Sequence, residues 1–203
     1  MISDHDRSGW IGASDVQFVI GNWRTKTWER WWLQKLGINR DHFDNRYTLA
    51  GTNFEHRILD SLGIAGLEKD RQFLVEELLL RVNLDGNTPE RIHEVKTYKL
   101  DGQKRKGIAT PACGLVRNDI TYVPPQKYIQ QVQVQMFGSK IFSAEIDAYG
   151  LEEEDYRNFL RPIDPGRLRV IPVGYDPNWI EQVYLPKHRI LADCLRRGAF
   201  PNV

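Results

Sequence analysis

The sequence contains little cysteine, no long apolar run and almost no net charge. Its two cysteines, Cys113 and Cys194, are too few for a four-thiolate zinc or iron–sulfur site, and they favour a reducing cytosol over a disulfide-rich compartment. No signal peptide, membrane-spanning segment, repeat or low-complexity tract is visible. Because the net charge is only +1, any nucleic acid would have to be bound by local basic clusters.

The remaining composition is ordinary for a globular protein. A chain of 203 residues, 41% of them apolar, fits one domain over residues 1–203 with a sizeable core. Helical patterns come first in the chain, and strand patterns follow over residues 71–99, 141–149 and 167–173. The sequence therefore predicts an α/β domain in which a central mixed β-sheet is flanked by helices.

Capping residues and apolar spacing predict where the helices lie. Ser14 is the expected N-cap of the first helix, and Asp176 is the expected N-cap of the last, which we expect to be kinked at Pro186. A third helix is expected to begin near Thr52 or Asn53. The second helix carries a stripe of tryptophans that we expect in the core: Trp28, Trp31 and Trp32.

One segment has two interpretations. In residues 128–136, glutamines alternate with apolar residues as in a half-buried strand, yet Ile129, Val132 and Met136 also form a helical stripe. Periodicity alone leaves both open.

A long loop precedes this segment. Residues 100–126 are rich in glycine and proline and include the basic run Lys104, Arg105 and Lys106. That run is either a solvated loop tip or a contact to a DNA backbone.

The stretch from Asp85 to Lys96 carries the most informative chemical pattern. Because side chains alternate across a strand, Glu94 and Lys96 share one face while Val95 points to the other. Asp85 stands at the end of an apolar run and precedes a predicted turn, so a hairpin brings its carboxylate towards Glu94. Two carboxylates suit a hard divalent cation such as magnesium, and a lysine can orient or deprotonate the water that attacks a phosphodiester. The pattern predicts a metal-dependent nuclease core, and the alternative is a solvated strand face.

Four motifs in this order resemble the YqaJ-type viral recombinase family, also called the phage lambda exonuclease-like family, of the PD-(D/E)XK nuclease superfamily. In chain order they lie in residues 7–15, residues 51–55, the Asp85 to Lys96 stretch, and residues 128–133. The resemblance implies a restriction-endonuclease-like core, and it implies that the ambiguous segment is a helix.

The resemblance also implies roles for single residues at a metal centre. It identifies Asp85 and Glu94 as metal-binding carboxylates, adds the Val95 carbonyl as a further ligand, and identifies Lys96 as the catalytic lysine. The implied cofactor is Mg2+, for which Mn2+ can substitute, with two ions bound.

Two further catalytic residues are implied outside this stretch. Glu55 would complete the acidic cluster, and Gln131 would hold the nucleophilic water. Because a small shift of register would change the amide, Gln130 and Gln133 remain alternatives.

Three residues near the N-terminus are implied to bind the 5′-terminal phosphate of the substrate: Arg7, Ser14 and Arg24. The helix expected after Ser14 would point free backbone N–H groups and the positive end of its dipole at this phosphate. Arginine side chains can form paired hydrogen bonds with its oxygens.

The implied function is a magnesium-dependent 5′ to 3′ exonuclease that degrades one strand of linear double-stranded DNA from 5′-phosphorylated ends. The resulting 3′ tails would serve phage-type recombination by strand annealing. The resemblance also implies a homotrimeric ring, a single-strand annealing protein as partner, no membrane association, and the cytoplasm of a bacterium that carries a phage or prophage. The alternatives are another nuclease of the superfamily, such as an endonuclease, and an inactive DNA-end-binding module.

Overall fold

A computed structural model of the protein describes residues 8–39, 46–100 and 122–202. Within these ranges, a six-stranded mixed sheet is flanked by helices, which confirms the predicted fold class. Every described helix is too short or too polar to cross a membrane.

Five of the six strands overlap the predicted strand patterns, and the short β1 was not predicted. Their bounds are Ile11–Gly12 (β1), Glu68–Val75 (β2), Leu80–Asn87 (β3), Ile92–Lys99 (β4), Ser143–Leu151 (β5) and Leu168–Gly174 (β6). The strand order is β1-β3-β4-β5-β6, and β2 also pairs with β3. The β1/β3 and β4/β5 pairs are parallel, and the other pairs are antiparallel.

The helices lie on both faces of this sheet. Their bounds are Val16–Ile20 (α1), Lys26–Lys35 (α2), Arg46–Ser61 (α3), Gln126–Ser139 (α4), Pro177–Trp179 (α5) and Leu185–Arg196 (α6). A 3-10 turn over Ala13–Asp15 precedes α1, and a π-helical turn over Ile180–Tyr184 joins α5 to α6. This turn lies just before Pro186, where the sequence predicted a kink.

Two predicted helix starts are wrong. Ser14 lies inside the 3-10 turn, and no side chain caps α1. The carboxylate of Asp15 accepts the Gly12 N–H instead, at 2.7 Å. The third helix already includes Arg46, several residues before Thr52. By contrast, Asp176 caps its helix as predicted and accepts the Trp179 N–H at 2.9 Å.

The tryptophan stripe of α2 lies in the core, as predicted. Trp28 and Trp32 stack with ring centroids 5.5 Å apart, and Trp31 stacks on Phe18 at 4.8 Å. They belong to the larger of two apolar clusters, which also includes Val132 and other residues of α4. The smaller cluster places Phe54 and its neighbours in α3 against the opposite face of the sheet.

The ambiguous segment is helical, since it forms most of α4. Its glutamines and valines alternate because this helix is buried around much of its circumference. Val132 and Val134 are buried in the core, while the buried amides of Gln133 and Gln135 are hydrogen bonded to neighbouring segments. Burial on several sides hides the one-sided apolar stripe that usually marks a helix.

Candidate active site

The candidate site lies in a gap between β3 and β4. One edge of β3 pairs with β2 from Leu80 to Asn87, except at Asp85. The other edge pairs with β1 at Leu80 and Arg81 and with β4 at Gly86 and Asn87. Within the described part of the chain, the residues between these two contacts have no strand partner on that edge, so side chains fill the space where β1 and β4 diverge.

Asp85 lies at the β4 end of this gap. Its Oδ2 accepts the Val95 N–H at 2.8 Å, which replaces the backbone pairing that ends at Gly86. Asp85 is inside β3 rather than immediately before a turn, and the turn that joins β3 to β4 is closed by the Thr88 N–H donating to Arg91 O at 2.8 Å. The expected turn directly after Asp85 is therefore wrong, although the hairpin does bring Asp85 to Glu94.

Glu94 is the most enclosed acidic group of the gap, with only 1% of its surface exposed. Its Oε1 accepts hydrogen bonds from Lys96 Nζ and from Gln131 Nε2. Its Oε2 accepts one from Gln135 Nε2 at 2.5 Å. Both oxygens of this carboxylate are thus fixed by side chains of β4 and α4.

Lys96 lies on the same face of β4 as Glu94, as the strand pattern predicted. Its Nζ is 5.2 Å from the centre of the Tyr128 ring of α4, a cation–π contact. Burial alone would lower the pKa of Lys96, but the carboxylates of Glu94 and Asp85 raise it above its ordinary value. Lys96 is therefore held as an ammonium.

The carboxylates of the gap repel one another because they carry like charges. Burial and the charge of Glu94 raise the pKa of Asp85 well above its ordinary value. The same two causes, in the same order, raise the pKa of Glu55. The charge of Lys96 lowers the pKa of Asp85 and of Glu55 but does not cancel these effects, and a bound cation would stabilise the charged forms of both.

The donor set fits a magnesium-type cation. A carboxylate offers about four lone-pair positions. Glu94 uses three of them within the described residues, which leaves one position on Oε2, and Asp85 uses Oδ2 only. Magnesium is commonly held by one or two carboxylates and keeps several waters, so this pair with the Val95 carbonyl suffices.

Glu55 interacts electrostatically with Asp85 and Glu94, but the three side chains do not form a compact group of three metal ligands. Within the described residues, two groups of three bring their ligand atoms within 4.8 Å of one another. They are Glu55 with His56 and Asp70, and His93 with Glu145 and Asp147.

The three candidate glutamines of α4 point to different places. Gln131 bonds Glu94 at 2.5 Å, Gln130 bonds Gln17, and Gln133 bonds the main chain of Gly174 at 2.7 Å. The structure therefore brings Gln131 to the gap and directs Gln133 away from it.

A cavity of about 240 Å³ opens over the gap. Its lining contains the acidic pair, Lys96 and Gln131, and it also contains residues from the N-terminal segment, α2 and β3: Gly12, Ala13, Ser14, Asp15, Lys35, Arg81 and Asn83. Of the residues predicted to bind a 5′ phosphate, Ser14 lines this cavity, whereas Arg24 is exposed and is not part of its lining. Arg7 lies outside the described residues, as do Lys104, Arg105 and Lys106.

Two cationic residues of the cavity were missed by sequence reasoning, Lys35 and Arg81. Lys35 Nζ lies 2.6 Å from Asp15 Oδ2, and both side chains are buried. Asp15 also accepts the Trp31 indole N–H at 3.0 Å, so this carboxylate ties α2 to the cavity wall. No local motif identifies these residues. In the sequence, Lys35 has the position of an ordinary lysine at the end of a helix, and Arg81 lies within an apolar strand.

The fold is similar to those of known exonucleases. An alkaline exonuclease from Laribacter hongkongensis matches with a TM-score of 0.64 over 94% of this chain and 90% of its own, at 15% identity. Its complex with dAMP gives 0.63 over 95% and 91%, at 15% identity. A phage-related exonuclease from Haemophilus somnus 129PT gives 0.58 over 93% and 95%, at 14% identity. These likenesses show a shared fold. The sequence itself matches no known family profile and no curated protein.

Proposed function

We propose that this protein is a divalent-metal-dependent deoxyribonuclease that degrades linear duplex DNA from its ends. The observation that carries the proposal is the meeting of Asp85, Glu94, Lys96 and Gln131 at one cavity in the gap between β3 and β4. Metal-assisted hydrolysis of a phosphodiester uses metal ligands, a cation near the phosphate and a group that orients water, and these four residues offer all of them.

Asp85, Glu94 and the Val95 carbonyl would hold the metal, which we take to be two magnesium ions, with manganese as a substitute. When bound, such ions neutralise charge on the scissile phosphate and lower the pKa of bound water. Glu55 lies close enough to contribute to the raised pKa of Asp85, and we propose that it completes the acidic cluster.

Lys96 and Gln131 orient the reactants. Because the neighbouring carboxylates keep Lys96 charged, its ammonium is suited to donate hydrogen bonds to the phosphate or to the attacking water rather than to take up a proton. Gln131 uses its amide nitrogen on Glu94, so its carbonyl oxygen is directed to accept a hydrogen bond from the water.

The shared fold supports DNA ends as the substrate, because the similar structures are exonucleases and one of them holds dAMP, a mononucleotide of the kind that exonucleolytic cleavage releases. We further propose the 5′ to 3′ direction and preference for a 5′-phosphorylated end. Ser14 and Arg81 line the same cavity as the acidic pair, which supports an anion site next to the site of cleavage.

The family resemblance extends the proposal to assembly. It implies a homotrimeric ring that acts with a single-strand annealing protein to produce recombination tails. Light scattering should then give about three times the chain mass of 23.7 kDa.

A digestion assay tests the proposed activity. Linear and closed circular duplexes of the same sequence are incubated with the protein in magnesium and in excess chelator. We expect degradation of the linear duplex in magnesium only, with the circle intact. Cleavage of the circle would show an endonuclease, and end binding without any cleavage would show an inactive module, and either result contradicts the proposal.

A further inference from the structure

We propose that Gln135 is a positioning residue, which holds the metal-binding pair Asp85 and Glu94 at a fixed separation. The inference rests on the proposed metal-dependent nuclease function. It assigns a role to a buried glutamine that acts through Glu94 and lies one helical turn after Gln131.

Gln135 bridges the two strands at the gap. Its Nε2 donates to Asn83 O of β3 at 3.1 Å and to Glu94 Oε2 of β4 at 2.5 Å. The direct backbone pairing of β3 with β4 covers only Gly86 and Asn87, so it stops before the acidic pair. Beyond that point the strands are joined by the Asp85 to Val95 hydrogen bond and by this amide.

The chemistry of its partners fixes the orientation of the Gln135 amide. A main-chain carbonyl and a carboxylate only accept hydrogen bonds, so the amide nitrogen must face both, and its two N–H groups are both used. The side chain is 1% exposed, and its Oε1 has no hydrogen-bond partner within the described residues. Rotation of the amide would leave Glu94 and Asn83 facing an oxygen, which is unfavourable in a buried place.

As a result, the carboxylate of Glu94 is held at both of its oxygens. Residues four apart lie on the same face of a helix, so Gln131 and Gln135 reach Glu94 together from α4. Gln131 holds Oε1 and Gln135 holds Oε2, which leaves the carboxylate little freedom to turn. Groups that orient metal ligands in this way typically change metal affinity or activity by about 10–100-fold when they are removed.

The test replaces Gln135 with methionine, which has a similar length and no hydrogen-bond donor. The matched control is Gln133→Met in the same helix. Gln133 is also buried and also makes two hydrogen bonds, to Gly174 O and from Asp176 N, each at 2.7 Å, but it does not contact Glu94. Both variants should lose similar stability, measured by thermal unfolding.

Two readouts separate positioning from structure. Titration calorimetry with Mn2+ alone measures metal binding, and the Mg2+ concentration for half-maximal digestion measures metal use. We expect Gln135→Met to weaken Mn2+ binding and raise the Mg2+ requirement by about tenfold or more, with partial recovery of rate at high Mg2+. Gln133→Met should leave both values at those of the wild type.

Wild-type metal binding in Gln135→Met, or equal weakening in Gln133→Met, would overturn the proposal. If Gln135→Met does not fold, Gln135→Asn serves instead, because it keeps an amide that is one methylene too short to reach both acceptors. Wild-type protein that binds Mn2+ without digesting DNA would refute the proposed function while calorimetry still tests Gln135. Absence of Mn2+ binding in the wild type would refute both.

Discussion

The acidic residues of the gap are arranged to bind a cation, and this arrangement lowers the stability of the metal-free protein. The folded protein favours the protonated forms of Asp85 and Glu55, whose pKa values are raised. Through these two groups the folded state binds more protons than the unfolded chain once the pH exceeds the ordinary carboxyl range, about pH 4. Their contribution to the free energy of unfolding should therefore fall as the pH rises from there through the raised pKa values.

Asp85→Asn should therefore stabilise the metal-free protein while abolishing digestion. Asparagine can still accept the Val95 N–H, but it has no charge to bury or to repel Glu94. In chelator at neutral pH we expect a melting temperature raised by a few degrees, since about 1 kcal/mol shifts a chain of this size by roughly 2–4 °C. Differential scanning calorimetry with and without magnesium measures the effect.

Magnesium should raise the melting temperature of the wild type and leave that of Asp85→Asn unchanged, because binding to the folded state alone stabilises it. A variant that melts below the wild type in chelator would show that Asp85 is stabilised by its surroundings without metal.

Among single residues, the sequence predicted those that form a local pattern and missed those defined by tertiary contact. Glu94 and Lys96 follow from strand alternation. Gln135, Lys35 and Arg81 reach the site only because α4, α2 and β3 meet there, and no spacing within one element reveals that meeting.

At the level of elements, the contact between α4 and β3 sets the position of the amides. Gly138 lies where a Cβ atom would be 2.5 Å from Val82 Cγ2. Gly138→Ala improves helix propensity by up to about 1 kcal/mol, but it must push α4 away from β3. We expect net destabilisation of about 1–3 kcal/mol from overpacking, together with slower digestion.

Gly174→Ala is the control, because a Cβ atom there meets nothing within 4 Å. Chemical unfolding and initial digestion rates should be nearly unchanged in this variant. Equal stability of Gly138→Ala and the wild type would mean that α4 can shift freely, and the amides would then not be fixed by packing.

Most elements were predictable because their signals are local. The β4 strand, the tryptophan stripe and the Asp176 cap depend on residues within a few positions of each other. The start of α3 was placed too late, although Ala50 continues the buried stripe of Phe54 and Ile58 towards the N-terminus. The start of α1 was also misplaced. Asp15 contacts Gly12, Trp31 and Lys35, and it occupies the N-cap position that was expected for Ser14.

For the whole molecule, a net charge of +1 means that DNA is not held by a general basic field, so binding at the end must be local. We expect faster digestion of 5′-phosphorylated than of 5′-hydroxyl duplexes, with label released first from the 5′ end. Arg81→Gln should slow phosphorylated ends more than hydroxyl ends, because Arg81 lines the cavity.

Arg24→Ala provides the comparison for this prediction, because Arg24 is exposed and is not among the residues that line the cavity. If Arg24→Ala removes the preference and Arg81→Gln does not, the phosphate is bound near Arg24, as the family resemblance implied, and not by Arg81.

The most direct test of the active-site assignment compares Lys96→Ala with Lys99→Ala on a linear phosphorylated duplex in magnesium. Lys96 contacts Glu94 inside the gap, whereas Lys99 of the same strand pairs with Glu153 at the surface, where such a pair contributes little. With both variants shown to be folded by circular dichroism, we predict that Lys96→Ala loses more than about a thousandfold in initial rate, or about 4 kcal/mol, and that Lys99→Ala keeps wild-type activity. Retention of more than about a tenth of the wild-type rate by Lys96→Ala, a loss below about 1.4 kcal/mol, would contradict the assignment.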